Sequence, residues 1–392
     1  MSAPLAGIRV LDLTTVVMGP WATYLLAGYG AEVIKVEPPD GDIMRHGGAS
    51  RHAGMGSLFM FMNRGKRSVA LDLKRPAARD ALLRLCTTAD VLVTNVRPAA
   101  MDRLGLGYDA VAQVNGRIVY VDLVGYAQGG PYGAKPAYDD LIQGISGLAA
   151  TFANVDGEPR LIPALVADRV TGMSATQAVL AALFARERTG AGAHVEVPMF
   201  ETMVELVLSD HLGGYVFEPP SGAPGYNRVL TPNRRPFRTR DSYVCVLLYT
   251  ERQWERFFAV VGREPEYRAD PKLSDPVQRR RDYDHAYGVV AELLATRTTA
   301  EWLRALGDAD IPVVPLMDVA GLLDDEHLRA TAFFATEEHP TEGTVRTVRR
   351  PVRLSTGDAP PLGPAPNLNE HGAAILRDAG LSDAEVADAL SR

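Results

Sequence analysis

Cysteine is almost missing from this 392-residue chain, which has only Cys86 and Cys245. Two distant thiols build no disulfide framework, and both lie in apolar stretches, so buried free thiols in a reducing compartment are expected. There is no Cys-x-x-Cys or paired-His spacing, and the eight histidines are scattered, so no metal site is expected. A basic excess is missing too. The 41 Lys and Arg against 48 Asp and Glu leave a net charge of −7, which argues against a nucleic-acid partner but leaves room for a local anion site. No apolar run reaches membrane-spanning length and no basic-plus-apolar leader opens the chain, so a cytoplasmic protein without a membrane partner is expected. Internal repeats and low-complexity tracts are absent as well.

What is present is a strand–helix alternation long enough for two domains. Ile8–Leu13, Ala31–Glu37, Ser68–Leu73, Val91–Thr94 and Ile118–Leu123 read as strands, with helices at Trp21–Ala27 and Pro76–Thr88. Gly28 and Gly30 end the first helix, and Pro76 opens the second. Such an order predicts parallel crossovers in an α/β sheet, with ligands just beyond the carboxyl ends of the strands. The first turn, Thr14-Thr15-Val16-Val17-Met18-Gly19-Pro20, lacks the closely spaced glycines of a dinucleotide loop, which argues against hydride transfer. Val195–Met199 reads as a further strand, with a helix over Phe200–Leu208. The stretch 213–236 reads as a long connection, and a strand at Tyr243–Leu248 with three helices up to Leu306 reads as a smaller α+β domain. The acidic helix near Asp324–Ala330, a strand candidate at Pro351–Leu354 and a final helix pair complete the chain.

One stretch organises the rest: Ala164-Leu165-Val166-Ala167-Asp168-Arg169-Val170-Thr171-Gly172-Met173, with a small-residue helix expected from Ala175 to Arg186. A carboxylate at a helix start has two uses. Asp168 can cap the helix by accepting backbone N–H bonds, or it can serve as a nucleophile held ionised by the helix's positive end. The decamer alone leaves both open.

Successive blocks resemble the family III CoA-transferases, whose fold α-methylacyl-CoA racemase shares. They are Pro4–Leu13, Gly30–Pro38, Asn63–Ser68, Leu71–Lys74, Asp90–Asn95, Val124–Tyr126 with Gly129–Tyr132, the Asp168 decamer, Arg188–Val197 and Asn369–His371. The resemblance implies an α/β fold, with a large doubly wound Rossmann-like domain and a smaller α+β domain. The first part of the large domain takes residues 1–215, the linker and small domain 216–324, and the return to the large domain 325–392. It also implies two protomers interlocked as a homodimer. Asp168 takes the nucleophile's place, with acyl-CoA and a carboxylic acid as substrates and no tightly bound cofactor.

The family's CoA contacts fall on Val17, Met18, Leu71, Asp72, Leu73, Lys74, Asn95, Val96, Arg97 and Arg103, with Tyr138 beside them. Lys74, Arg97 and Arg103 suit phosphate. The chain departs from formyl-CoA transferase at Val17, where a polar side chain is replaced, and at Pro38, where an arginine is replaced. Where the racemase has a histidine base this chain has Tyr138, a poor base at neutral pH, which favours transfer over racemisation. The family's glycine-rich loop is replaced by 230–240, which argues against formate and oxalate as the substrate pair. Arg169, Arg234 and Arg235 are candidate clamps for a substrate carboxylate.

Overall fold

The computed structural model describes residues 3–355 and 360–391. The chain divides into two compact units, one of residues 1–146, 162–205 and 327–392, the other of residues 147–161 and 206–326. The sequence reading had kept 147–161 and 206–215 with the large domain. Both stretches fall in the smaller unit, where the apolar helix over 148–156 packs against the short helix Asn227–Leu230.

The larger unit is built on β1 (Arg9–Leu13), β2 (Glu32–Glu37), β3 (Arg67–Ala70), β4 (Val91–Thr94), β5 (Val119–Val124) and β6 (Ala193–Pro198). All neighbours pair in parallel, in the order β3-β2-β1-β4-β5-β6. The order reverses between β1 and β4, which opens a crevice at their carboxyl ends. In chain order the helices are α1 (Met18–Ala27), α2 (Ser57–Met62), α3 (Pro76–Cys86), α4 (Pro98–Leu104), α5 (Tyr108–Val114), α6 (Asp139–Ile145), α7 (Leu148–Asp156) and α8 (Val166–Thr189).

Side-chain alternation gives the sheet two unlike faces. Leu11, Leu13, Ile34 and Val36 face one apolar core with Leu82 and Leu85 of α3 and Leu376 near the C-terminus. On the other face Asp12 stands opposite Lys35 in register, and both side chains are fully buried.

The smaller unit holds a three-stranded antiparallel sheet of β7 (Phe237–Arg238), β8 (Tyr243–Val246) and β9 (Val313–Pro315). Helices Glu251–Val261, Tyr283–Leu294 and Thr299–Asp308 surround a core of Trp254, Phe257, Phe258 and Trp302. Capping boxes at Thr250 with Gln253 and at Thr298 with Glu301 start two of these helices.

Three sequence expectations change. The strand candidate Pro351–Leu354 is not a strand. The C-terminal β structure is instead the hairpin of β10 (Phe334–His339) and β11 (Gly343–Val348), whose charged outward residues mask its alternation. Cys86 is buried but Cys245 is exposed, because alternation along β8 turns Val244 inward. The central helix begins at Val166, well before Ala175. Among the described residues no helix is long and apolar enough to cross a membrane, and no cluster of three His, Cys, Asp or Glu side chains is placed to hold a metal.

Candidate active site

Asp168 is not a cap. Leu165 precedes α8 and Asp168 sits inside its first turn, 8% exposed. The backbone N–H of Met18, the first residue of α1, is near enough to its carboxylate to lower the pKa. The reactive-acid candidate therefore lies at the amino ends of two helices, just beyond the carboxyl end of β1, where unsatisfied N–H groups carry positive potential.

Close contact between α1 and α8 depends on Gly172. A Cβ there would lie 2.5 Å from the Met18 carbonyl oxygen and 3.0 Å from Cδ1 of Trp21. Only hydrogen at that position lets the first turn of α1 approach the Asp168 helix.

A second carboxylate stands nearby. Asp139, 5% exposed in the first turn of α6, accepts the backbone N–H of Asp168 at 3.0 Å through Oδ1. Its Oδ2 takes a 2.6 Å bond from Nε2 of Gln143. Burial, and next the negative charge of Asp139, push the Asp168 carboxyl up to about 7, against the opposing pull of Arg169 and the Met18 N–H. Near neutral pH the group is then close to half ionised.

The loop from Thr14 to Val16 is held group by group. Nζ of Lys35 donates to the Thr14 carbonyl at 2.9 Å. The Asn95 side chain accepts from the Thr15 N–H at 3.0 Å and donates to its carbonyl at 2.9 Å. Oδ1 of Asp42 accepts the Val16 N–H at 3.2 Å. Val16 has φ +71°, a conformation that costs a β-branched residue about 1–3 kcal/mol. These contacts hold the strained residue and so fix where Val17 and Met18 emerge.

Beneath the loop lies a buried set of paired charges. Nζ of Lys66 meets Asp12 at 2.9 Å, Thr23 and Asn63 each at 2.8 Å, and the Pro20 carbonyl at 3.1 Å. Lys35 pairs with Asp42 at 2.9 Å, and Arg45 grips Glu37 at 2.8 and 2.7 Å. Burial alone pushes the Asp12 carboxyl up, but Lys66 and Lys35 outweigh it and hold the group well below the usual carboxylate range.

Of the expected ligand contacts, residues 17–18, 71–74 and 95–97 follow the carboxyl ends of β1, β3 and β4, while Arg103 lies in the last turn of α4. Val17, Met18 and Leu71 are buried, Asp72, Leu73 and Asn95 are half-buried, and Val96 is exposed. Lys74, Arg97 and Arg103 are exposed cations, and Tyr138 opens α6 with its ring 65% exposed. The Asn95 amide is engaged with Thr15, which makes it a support of the loop. Arg234 and Arg235 are exposed residues of the smaller unit. Sequence reasoning missed Asp42, Lys66, Gly172 and Trp21. Charged residues within apolar strands, Asp12 and Lys35 foremost, were the available signal for the paired set.

Residues 5–372 match the family described as CoA-transferase family III. The chain belongs to that family. It is 34% identical over 389 residues to the acetyl-CoA:oxalate CoA-transferase of Acetobacter aceti, covering 97% of each chain. It is 32% identical to a probable fatty acyl-CoA transferase of Mycobacterium tuberculosis, Rv3272, covering 95% of this chain and 97% of the relative. A crystal structure of Rv3272 superposes with a TM-score of 0.81 at 30% identity, over 95% of this chain and 99% of that one. A CAIB/BAIF family protein from Brucella suis gives 0.81 at 28% identity, over 97% and 100%. This protein is a family III CoA-transferase acting on CoA thioesters, with the parallel six-stranded sheet of that fold.

Proposed function

We propose that this enzyme moves CoA from an acyl-CoA donor to a free carboxylic acid through covalent intermediates on Asp168. The supporting observation is the placement of Asp168, 8% exposed in the first turn of α8 beside the start of α1 and next to Asp139, where burial and that second carboxylate raise its carboxyl to about 7. A carboxylate made more basic by burial is a stronger nucleophile than one in water.

An Asp168 oxygen attacks the thioester carbonyl carbon. A C–O bond forms, the C–S bond breaks, and CoA leaves as thiolate with the electron pair. The thiolate then attacks the aspartyl carbonyl of the anhydride, giving an aspartyl-CoA thioester and the donor acid as its carboxylate. The acceptor carboxylate repeats these steps in reverse. Each step shifts one negative charge between oxygen and sulfur, so no redox partner is required. The Met18 N–H is one donor for the oxyanion that forms at the aspartyl carbonyl.

CoA runs along the carboxyl edge of the sheet. Lys74, Arg97 and Arg103 receive its phosphates, the backbone at Val17–Met18 and 71–74 follows the pantetheine arm, and Tyr138 flanks the thioester end. We infer a cytoplasmic enzyme that works as an interlocked homodimer, and a folded monomer in sedimentation at low concentration would overturn that assembly.

A panel of acyl-CoA donors against free acids, read by mass spectrometry of the CoA products, tests the reaction. Transfer by the wild type and its loss in Asp168→Asn are expected, and transfer by Asp168→Asn at the wild-type rate would contradict the role of Asp168.

A further inference from the structure

Arg169 is poorly compensated in the protein alone. It follows Asp168 in the first turn of a 24-residue helix, where the helix potential is already positive and a cation is unfavourable. Burial holds its guanidinium below the ordinary arginine range, against the attraction of Asp168. The group lies over the Trp21 ring, 4.4 Å from its centroid, and Trp21 stacks in turn on Tyr24 at 5.3 Å and Phe61 at 6.5 Å.

The hydrogen bonding is the decisive feature. Among the described residues the Arg169 Nη1 is buried without an acceptor, and so is the indole Nε1 of Trp21 beneath the guanidinium. The fully buried arginines meet carboxylates: Arg45 pairs with Glu37, Arg279 with Glu251, and Arg186 with Asp90 even though its Nε stays unmatched, whereas the half-buried Arg169 has no such carboxylate pair among the described residues. Guanidinium donors cannot be silenced by deprotonation, so leaving them unmatched in an aromatic, low-dielectric setting is costly. An anion with acceptor oxygens removes that cost, and the reaction supplies one.

We propose that Arg169, which rests over the Trp21 ring in the free protein, is the docking point for the carboxylate of the free-acid substrate. This rests on the reading of Asp168 as the transfer nucleophile and adds a binding residue to it. Local rearrangement on binding turns the guanidinium from the indole face toward the acid. Held through one oxygen, the acid keeps its second oxygen free to attack the aspartyl thioester. The new C–O bond forms as the C–S bond breaks and CoA leaves as thiolate. The Arg169 charge offsets the repulsion between the incoming acid and Asp139.

The test is calorimetric titration of the full chain with acetate, oxalate, succinate and hexanoate, and separately with CoA. At least one acid is expected to bind the wild type. Arg169→Gln is expected to bind it roughly 10–100-fold more weakly, the scale of a lost charge-assisted bond, with CoA affinity changed less than about twofold. In Arg169→Ala, added methylguanidinium is expected to restore part of the acid affinity, an effect that a purely structural role does not produce. Unchanged acid affinity in Arg169→Gln, equal loss for acid and CoA, or no acid binding by the wild type would each overturn the proposal. Asp168→Asn separates the two readings: it is expected to lose transfer yet keep acid binding. Transfer that survives in Asp168→Asn defeats the nucleophile reading whatever Arg169 does.

Discussion

Two sets of buried charges meet at the loop between β1 and α1, and they are compensated to opposite degrees. Below the loop, Asp12, Lys66, Lys35, Asp42, Glu37 and Arg45 form close ion pairs. Beside it, Asp168 faces a second carboxylate, and Arg169 holds a buried nitrogen that meets no acceptor. The first set is paired throughout, although burial still lowers the Lys66 ammonium to about 8, and it holds the loop in a strained conformation. The second sets one carboxylate beside another and leaves a guanidinium nitrogen without an acceptor, and the proposed substrate contacts rest on that difference.

The comparison breaks most visibly if a paired charge can be removed cheaply. Lys66→Met leaves Asp12 buried with its closest cation gone, and a loss of about 3–5 kcal/mol is expected in denaturant unfolding. A loss below about 1 kcal/mol would mean that the set is not the scaffold.

Removing the reactive charge should do the reverse. The folded-state pKa of Asp168 is raised from 3.8 to about 7, so the folded protein holds a proton that the unfolded chain releases. Its contribution to stability is full at low pH and is lost as pH rises through that window. Asp168→Asn should therefore gain stability above pH 7, by at most about 4 kcal/mol, while losing transfer. Thermal unfolding across pH checks this, and a variant less stable than wild type at pH 8 would contradict it.

Gly172→Ala pushes a methyl group into the Met18 carbonyl. A stability cost of about 1–3 kcal/mol is expected, with a larger proportional fall in kcat than in CoA affinity, because the Met18 N–H is moved off Asp168. The smallest effect belongs to Asp139→Asn. It removes the neighbouring negative charge and keeps Oδ1 as acceptor for the Asp168 N–H, at the cost of the Gln143 bond to Oδ2. The acid limb of the kcat/KM profile should move down by roughly one pH unit. An upward shift would show that Asp139 does not raise the Asp168 carboxyl.

The alternation of apolar strands and small-residue helices made the sheet legible in the sequence. The Asp168 decamer left cap and nucleophile open, and only the resemblance along the whole chain singled it out as the candidate site. The pairing of Lys66 with Asp12 lay beyond local pattern, because 54 residues separate the two and only the parallel sheet brings them together. The bridge from the Asn95 amide to Thr15 was equally out of reach, since 80 residues separate the two and they meet across the point where strand order reverses. Gly172 lies four residues after Asp168 in plain view. Its role depends on how closely α1 approaches, which no periodicity encodes. The hairpin β10–β11 went unread because Glu337, Glu338 and Arg346 break its apolar alternation.

One measurement bears on Asp168 above all others. The enzyme is incubated with an acyl-CoA that it turns over, hydroxylamine is added, and the digested chain is mapped by mass spectrometry. A hydroxamate on Asp168, formed only when acyl-CoA is present, is the predicted result. Continued CoA transfer with Asp168 unmodified, or a hydroxamate on another carboxylate such as Asp139, would contradict it.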